Sequence, residues 1–441
     1  MRRWDTSRSS GPVVSDGTLR PGVDVYLLPA VVGGGLGDID EVLCAGRHLA
    51  RAGFSLTVFR REGRPLPDGV DGRWDWPLHR RTRSVVRQAE QALTVTPAWG
   101  VTAAPPREGP LGGPGAWSVE AAEIERTYGP ERTVHVSLEE FARTLTSREE
   151  SVERLREGGV RSTDLRARLA RAEAAGEVEV QRRAFRRFRA FDVPNVLGVF
   201  AGFRYDRAFA REFPEAVQTG PLWPARARAP LRSPRQGRRA WVWYASPASA
   251  QAIAPGVLAG LRSSAASPSL FVRTPRPWSQ VPAGRLVRVV SGPLREPTWQ
   301  RRLEQAALRI VTGSRTLLEA LELGGPFLYF NGVFGRGPAR RRHRPEKIVE
   351  LLAVVRNAGW PTDLCGDLAD FARGRRVQEV TARAADGEGG WRRFPSWPRP
   401  SGFAAGFEDA GPLLVRFARE LAGGGFSSAE LVDRFRARSH P

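Results

Sequence analysis

The chain has 441 residues, of which 41% are hydrophobic, so it has material for more than one sizeable core, and a disordered chain is excluded. Its 68 Lys+Arg against 47 Asp+Glu leave a formal net charge of +21, almost all arginine, a field that attracts nucleotides, phosphorylated lipids, acidic membrane surfaces or nucleic acid without choosing among them. The 2 cysteines, Cys44 and Cys365, exclude a disulfide scaffold and read as buried small side chains, and no run approaches the ~18–20 apolar residues of a membrane span, so a cytoplasmic protein is expected.

Residues 1–22 carry no periodicity and are expected to be a flexible lead-in. Val23–Val32 reads as a buried strand running into Gly33, Gly34, Gly35, Leu36 and Gly37. Asp38–Arg51 has helical spacing of Ile39, Val42, Leu43, Gly46 and Leu49, with Gly53 as a stop, and Phe54–Phe59 is a second strand. Strand, glycine-rich turn, helix and strand make a βαβ unit and predict a parallel sheet. Ala92–Val101 and Thr133–Val136 continue as strands, and Ser137 with Glu140 has the pattern of a capping box opening a helix. The charged stretch 147–189 reads as helical. Val193–Phe200 and Ala216–Thr219 return to strand composition, and 223–239, rich in Pro and Arg, reads as a linker. Alternation restarts with a strand at Ala240–Tyr244 and a helix to about Leu261. Ser269–Thr274, Leu286–Val290, Leu308–Val311 and Pro326–Phe330 are four further short strands, and two amphipathic helices follow near 411–422 and 428–438. The expected fold class is α/β, with two doubly wound, Rossmann-like domains facing a cleft. The predicted division is 23–222, a linker at 223–239, 240–390, and a tail at 391–441 returning toward the first domain.

Glycine-rich turns at helix starts gather backbone N–H groups and the positive end of the helix dipole, which suits anions. The first turn has neither a phosphate-loop Lys nor a third dinucleotide-type glycine, since Asp38 stands there. Gly35-Leu36-Gly37-Asp38-Ile39, the helix end Leu49-Ala50-Arg51-Ala52-Gly53-Phe54 and the strand Leu56-Thr57-Val58 resemble the opening of GT-B glycosyltransferases, with Val32 where glycogen synthases have a nucleotide-contacting Lys. The run Ala306–Pro326, with Thr312-Gly313-Ser314, Thr316, Glu319-Ala320 and Gly324-Gly325-Pro326, is similar to the donor-site signature of the same transferases, including the peptidoglycan N-acetylglucosaminyltransferase and antibiotic glucosyltransferases. The chemistry of that pattern is intelligible: a small turn admits a nucleotide to the helix N–H groups, and a carboxylate one turn in accepts ribose hydroxyls.

The resemblance implies a GT-B fold and transfer of a sugar from a nucleotide-sugar donor, a UDP-sugar first, to a lipid-linked or glycan acceptor, without a resident metal or other cofactor. It places Gly313, Ser314 and Thr316 at the diphosphate or sugar, Glu319 at the ribose, and Ser246 in the phosphate turn after the first strand of the second half. Gly34, Gly35 and Gly37 form the first loop, and Asp38 and Asp40 are the expected bases, Asp38 preferred. His135 is a second acceptor-side expectation, and His48 reads as a packed or surface histidine. Partners expected are the donor, the acceptor and an anionic membrane surface on its inner face, with no specific nucleic acid. Two alternatives stay open: an epimerase or hydrolase of the same fold, and a non-catalytic binding protein that keeps it.

Overall fold

A computed structural model describes residues 20–30, 37–59, 79–82, 85–97, 117–139, 195–201, 216–224, 240–245, 247–266, 268–274, 287–291, 296–330, 332–334, 341–343, 351–352, 355–356, 359–395 and 408–438. The protein is an α/β molecule with two parallel sheets, each doubly wound. The first holds β1 (Arg20–Leu27), β2 (Leu56–Phe59), β3 (His79–Thr82), β4 (Ala89–Pro97), β5 (Thr133–Glu139), β6 (Val196–Ala201) and β7 (Ala216–Thr219), in the order β3-β2-β1-β4-β5-β6-β7. The second holds β8 (Ala240–Tyr244), β9 (Ser269–Thr274), β10 (Val287–Ser291), β11 (Leu308–Val311) and β12 (Phe327–Tyr329), in the order β10-β9-β8-β11-β12. Strand order therefore reverses between β1 and β4 in one sheet and between β8 and β11 in the other. Ligands of doubly wound sheets bind beyond the strand C-termini at such points.

The first sheet is buried on both faces at β4 and β5, where apolar side chains alternate with the buried polar ones of Thr94, Thr96, His135 and Ser137. Val25, Leu27, Leu93, Val95, Val134 and Val136 pack against Ile39, Val42, Leu43 and Leu49 of α1 (Gly37–Arg51). Gly46 lets α1 approach closely, because a Cβ there would lie 2.5 Å from Leu27 Cδ1. Tyr26, Ala92 and Phe59 face the other way, toward Trp117, Ala121, Ile124 and Tyr128 at α2 (Ser118–Tyr128). Below them Asp24 Oδ2 accepts hydrogen bonds from Gln88 N (2.8 Å), Ala89 N (2.7 Å) and the Tyr128 hydroxyl (2.7 Å), and the Tyr26 and Tyr128 hydroxyls share a bond of 2.6 Å. Burial above all, with the Asp24 charge, pushes the Tyr26 phenol up to about 12.

The second core is aromatic and large, gathering Trp241, Trp243, Phe327, Tyr329 and Phe330 with residues of α3 (Pro247–Ser263), α5 (Ser314–Leu323), α6 (Thr362–Ala372) and α7 (Val377–Asp386). On the opposite face Phe271, Trp299 and Leu303 pack, the last two from α4 (Glu296–Gln305). A short antiparallel hairpin joins β13 (Gly332–Phe334) to β14 (Arg341–His343).

The chain passes between the two cores within one peptide bond: Leu222 is buried in the first and Trp223 in the second. Trp223 is thus a core residue rather than the start of a linker, and 225–239 lie outside the described residues. A second passage lies beside the first, with Gly220 N donating to Glu408 O at 2.9 Å and Ala410 N to Pro221 O at 3.4 Å. Gly220 has no side chain to spare here, since a Cβ would meet Asp409 Oδ1 at 2.7 Å. From there α8 (Ala410–Ala422) and α9 (Ser428–Arg438) lay Leu413, Leu414, Phe417, Leu421, Leu431, Val432 and Phe435 into the first core.

One local expectation fails outright. Ser137 does not cap a helix; it lies inside β5, paired with β4 through Thr96 and with β6 through Gly198. Two flanking strands hold its backbone extended, which overrides the capping pattern. The stretch 147–189, read as helical, lies outside the described residues.

Candidate functional site

At the switch point of the second sheet, β8 ends at Tyr244 and β11 at Val311, and the Thr312 hydroxyl donates to Tyr244 O at 2.9 Å, tying the two ends together. Gly313 follows with φ 87°, a conformation that L side chains rarely adopt, and among the described residues a Cβ built on it would meet nothing within 4 Å. This turn is therefore both glycine-dependent and open above. It leads into α5, where Thr316 Oγ1 donates back to Thr312 O at 2.5 Å, so this hydroxyl holds the turn in shape. Glu319, one turn further, is buried at 5% exposure. Gly324 and Gly325, φ 69° and 76°, end the helix before β12.

The electrostatics of the α5 start are unusual. Its first turn has no acidic residue, and its second residue is Arg315, a cation where the helix dipole is already positive. That charge is met from the other unit: Arg315 Nε lies 2.6 Å from Asp40 Oδ2, and Nη1 donates to Leu222 O at 2.9 Å. Both partners are buried, Arg315 at 5% and Asp40 at 8% exposure. Arg47 reaches the same carboxylate from 3.9 Å.

Asp40 opens a polar stripe on α1, continued at the i+4 and i+8 positions by Cys44 and His48. The Cys44 thiol donates to Trp223 O at 3.1 Å, and His48 Nε2 lies 2.8 Å from the same oxygen. His48 is packed, as its sequence position implies, with α8 against it at Gly411, where a Cβ would meet the imidazole at 2.5 Å. Burial works against a charged His48, but its contacts with Cys44 and the Trp223 carbonyl prevail and raise its pKa above the ordinary histidine value. At the head of the same helix a Cβ on Gly37 would lie 3.9 Å from Arg315 Cβ, so the N-terminal turns of α1 and α5 meet. Asp38, half-buried, stands in that first turn.

The structure therefore brings Gly37 and Asp40 against Arg315, which lies between Gly313 and Thr316 in the chain, and Asp38 stands in the same first turn of α1. Ser314 opens α5 beside Gly313, whereas Gly34, Gly35 and Ser246 lie outside the described residues. His135 belongs elsewhere, buried in the first sheet with Nδ1 2.8 Å from Thr94 Oγ1 and Nε2 3.9 Å from Glu125. Arg315 was not foreseen as a site residue; a basic residue between the glycine and the Thr of the turn was the only signal. Among the described residues no cluster of three His, Cys, Asp or Glu is arranged to hold a metal ion, and no helix is long and apolar enough to cross a membrane.

No family model matches the chain, and no curated protein does. Among solved structures it is similar to the glycosyltransferase of kitacinnamycin, at 15% identity over 83% of this chain and 98% of that one, TM-score 0.37. UGT2 of Phytolacca americana, solved with UDP-2-fluoro-glucose and pterostilbene, has 10% identity over 95% of this chain and 100% of its own, TM-score 0.45. UGT89C1 of Arabidopsis thaliana, solved with UDP-L-rhamnose, has 12% identity over 95% and 99%, TM-score 0.42.

Proposed function

We propose that the protein is a glycosyltransferase that moves a sugar from a nucleotide-sugar donor, a UDP-sugar, to an acceptor hydroxyl. The observation that carries this reading is the turn at Thr312–Thr316: a positive-φ glycine with open space above it, at the switch point of the second sheet, opening a helix whose second turn holds a buried carboxylate. Backbone N–H groups at that helix start receive the diphosphate, with Gly313 and Ser314 nearest it, and Glu319 accepts the ribose hydroxyls. Thr316 shapes the turn, and Ser246, two residues after Tyr244 in the sequence, is assigned to the donor with it.

Asp38 takes the proton of the acceptor hydroxyl as its oxygen bonds to the anomeric carbon. The bond from that carbon to the diphosphate breaks, and its electron pair leaves with the nucleoside diphosphate, whose charge the α5 N-terminus stabilises. Asp40, the other expected base, has its carboxylate committed to Arg315, and we assign it no proton transfer. Gly34, Gly35 and Gly37, which precede Asp38 in the sequence, are assigned to the acceptor side. We also propose that transfer needs no metal ion, that the acceptor is lipid-linked or a glycan, and that the arginine-rich chain works in the cytoplasm against an anionic membrane surface; flotation with anionic vesicles but not neutral ones is expected.

The test is titration calorimetry of UDP, GDP, ADP and TDP against the wild-type protein. Saturable binding of one of them, UDP first, is expected; no binding by any overturns the proposal.

A further inference from the structure

A buried ion pair is a poor way to hold two pieces of protein together. Removing two charges from water costs several kcal/mol per ion, and apolar side chains of similar volume often do as well or better. The Asp40–Arg315 pair joins residues 275 apart in sequence, with both side chains nearly inaccessible. It also places a cation at the unfavourable end of α5. What such a pair supplies that apolar packing does not is direction. Arg315 is held by the Asp40 carboxylate on α1 and by the Leu222 carbonyl in the passage between the cores. Its backbone neighbours are Ser314 and Thr316 of the donor turn, and two residues before Asp40 stands Asp38.

Resting on the glycosyl-transfer reading above, we infer that Asp40 and Arg315 form a positioning pair that sets the donor turn of α5 in register with Asp38 on α1. Neither touches substrate. Arg315 acts through Gly313 and Ser314, and Asp40 acts through the first turn of α1. Cys44 and His48 extend the same function along the helix by fixing the Trp223 carbonyl, so that α1 is held against the passage at its middle and against the donor helix at its head. A misplacement of about 1 Å between reacting groups costs roughly 100-fold in rate, so the pair acts on turnover more than on donor affinity.

The experiment compares Asp40→Asn, Arg315→Gln and the double variant with wild type, at a temperature where circular dichroism shows all four folded. UDP affinity is read by calorimetry, and UDP-glucose cleavage by release of UDP, with water as acceptor. The inference expects each single variant to bind UDP within about threefold of wild type while cleaving UDP-glucose roughly 10–100-fold more slowly. The double variant, which leaves neither charge of the pair without the other and can bond amide to amide, is expected to recover part of that loss. Unchanged cleavage in a folded single variant overturns the inference, because the pair is then only structural. So does a loss of UDP affinity in step with cleavage, because Arg315 then belongs to the donor site itself. Wild-type protein that neither binds UDP nor cleaves UDP-glucose overturns the glycosyl-transfer reading beneath it, a result distinct from both.

Discussion

Two helices, α1 and α5, begin at equivalent places, each just beyond the C-terminus of a strand at the switch point of its sheet, yet they are charged in opposite ways. The first turn of α1 carries Asp38 and Asp40; that of α5 carries no acid and the cation Arg315. A helix N-terminus holds about half a positive charge, which α1 complements with its own carboxylates and α5 does not. The same topology, used twice, yields one helix start that bears carboxylates and one that bears none, and Gly37 and Arg315 bring the two against each other.

The comparison breaks most sharply at Asp38. Asp38→Asn is expected to lower sugar transfer about 10²–10⁴-fold while UDP binding stays near wild type, which steady-state turnover and calorimetry on one preparation would separate. The complementary change is Glu319→Ala, expected to weaken UDP binding roughly 10–100-fold through lost charge-assisted hydrogen bonds, of which each is worth about 1.5–3 kcal/mol; unaltered affinity in the calorimeter would remove Glu319 from the donor site. A smaller effect belongs to Gly313→Ala. Its φ of 87° costs an alanine about 1–2 kcal/mol, so a lower melting temperature and several-fold weaker UDP binding are expected. Substitution of Gly37, whose φ is not in the positive range reported for Gly313, tests whether strain is particular to the start of α5.

An effect on stability alone, seen only in alkali, distinguishes the sheets behind the helices. The Tyr26 phenol of β1 titrates in the folded protein near 12, against 10 when unperturbed. A pKa raised on folding contributes stability that is complete below pH 10 and is lost as pH rises from 10 to 12. Alkaline denaturation should therefore strike the first sheet, and Tyr26→Phe should remove that part of the pH dependence. A melting curve of Tyr26→Phe that falls between pH 10 and 12 as steeply as wild type would contradict this.

Much of this frame was legible in the chain. The apolar runs at Ala216–Thr219, Ala240–Tyr244, Ser269–Thr274 and Leu308–Val311 coincide with β7, β8, β9 and β11, because buried parallel strands need continuous apolar sequence between turn residues. The turn at Gly313 was legible for a related reason, since its φ of 87° favours glycine. What was not legible depends on distance. Ser137 and Glu140 make a capping pattern locally, and only the two strands flanking β5 show why it is not used. Ser118–Tyr128 was missed as a helix because its apolar face, Ala121, Ile124 and Tyr128, is short and no side chain caps its start. Asp40 looked like a base until Arg315, far along the chain, was seen to occupy it. No local pattern encodes such a contact.

The paired passages near Gly220 and Asp409 also bear on how the molecule is made. The second core is drawn from residues after Trp223 and before the return at Asp409, whereas the first core needs α8 and α9, which leave the ribosome last among its parts. At ~5–20 residues per second the apolar strands and α1 wait on the order of ten seconds or more for those helices. The later-encoded half is thus complete first, and the part of the first core that α8 and α9 cover stays exposed until those two helices have emerged. For a newborn chain, the hazardous interval lies in the half that began earliest.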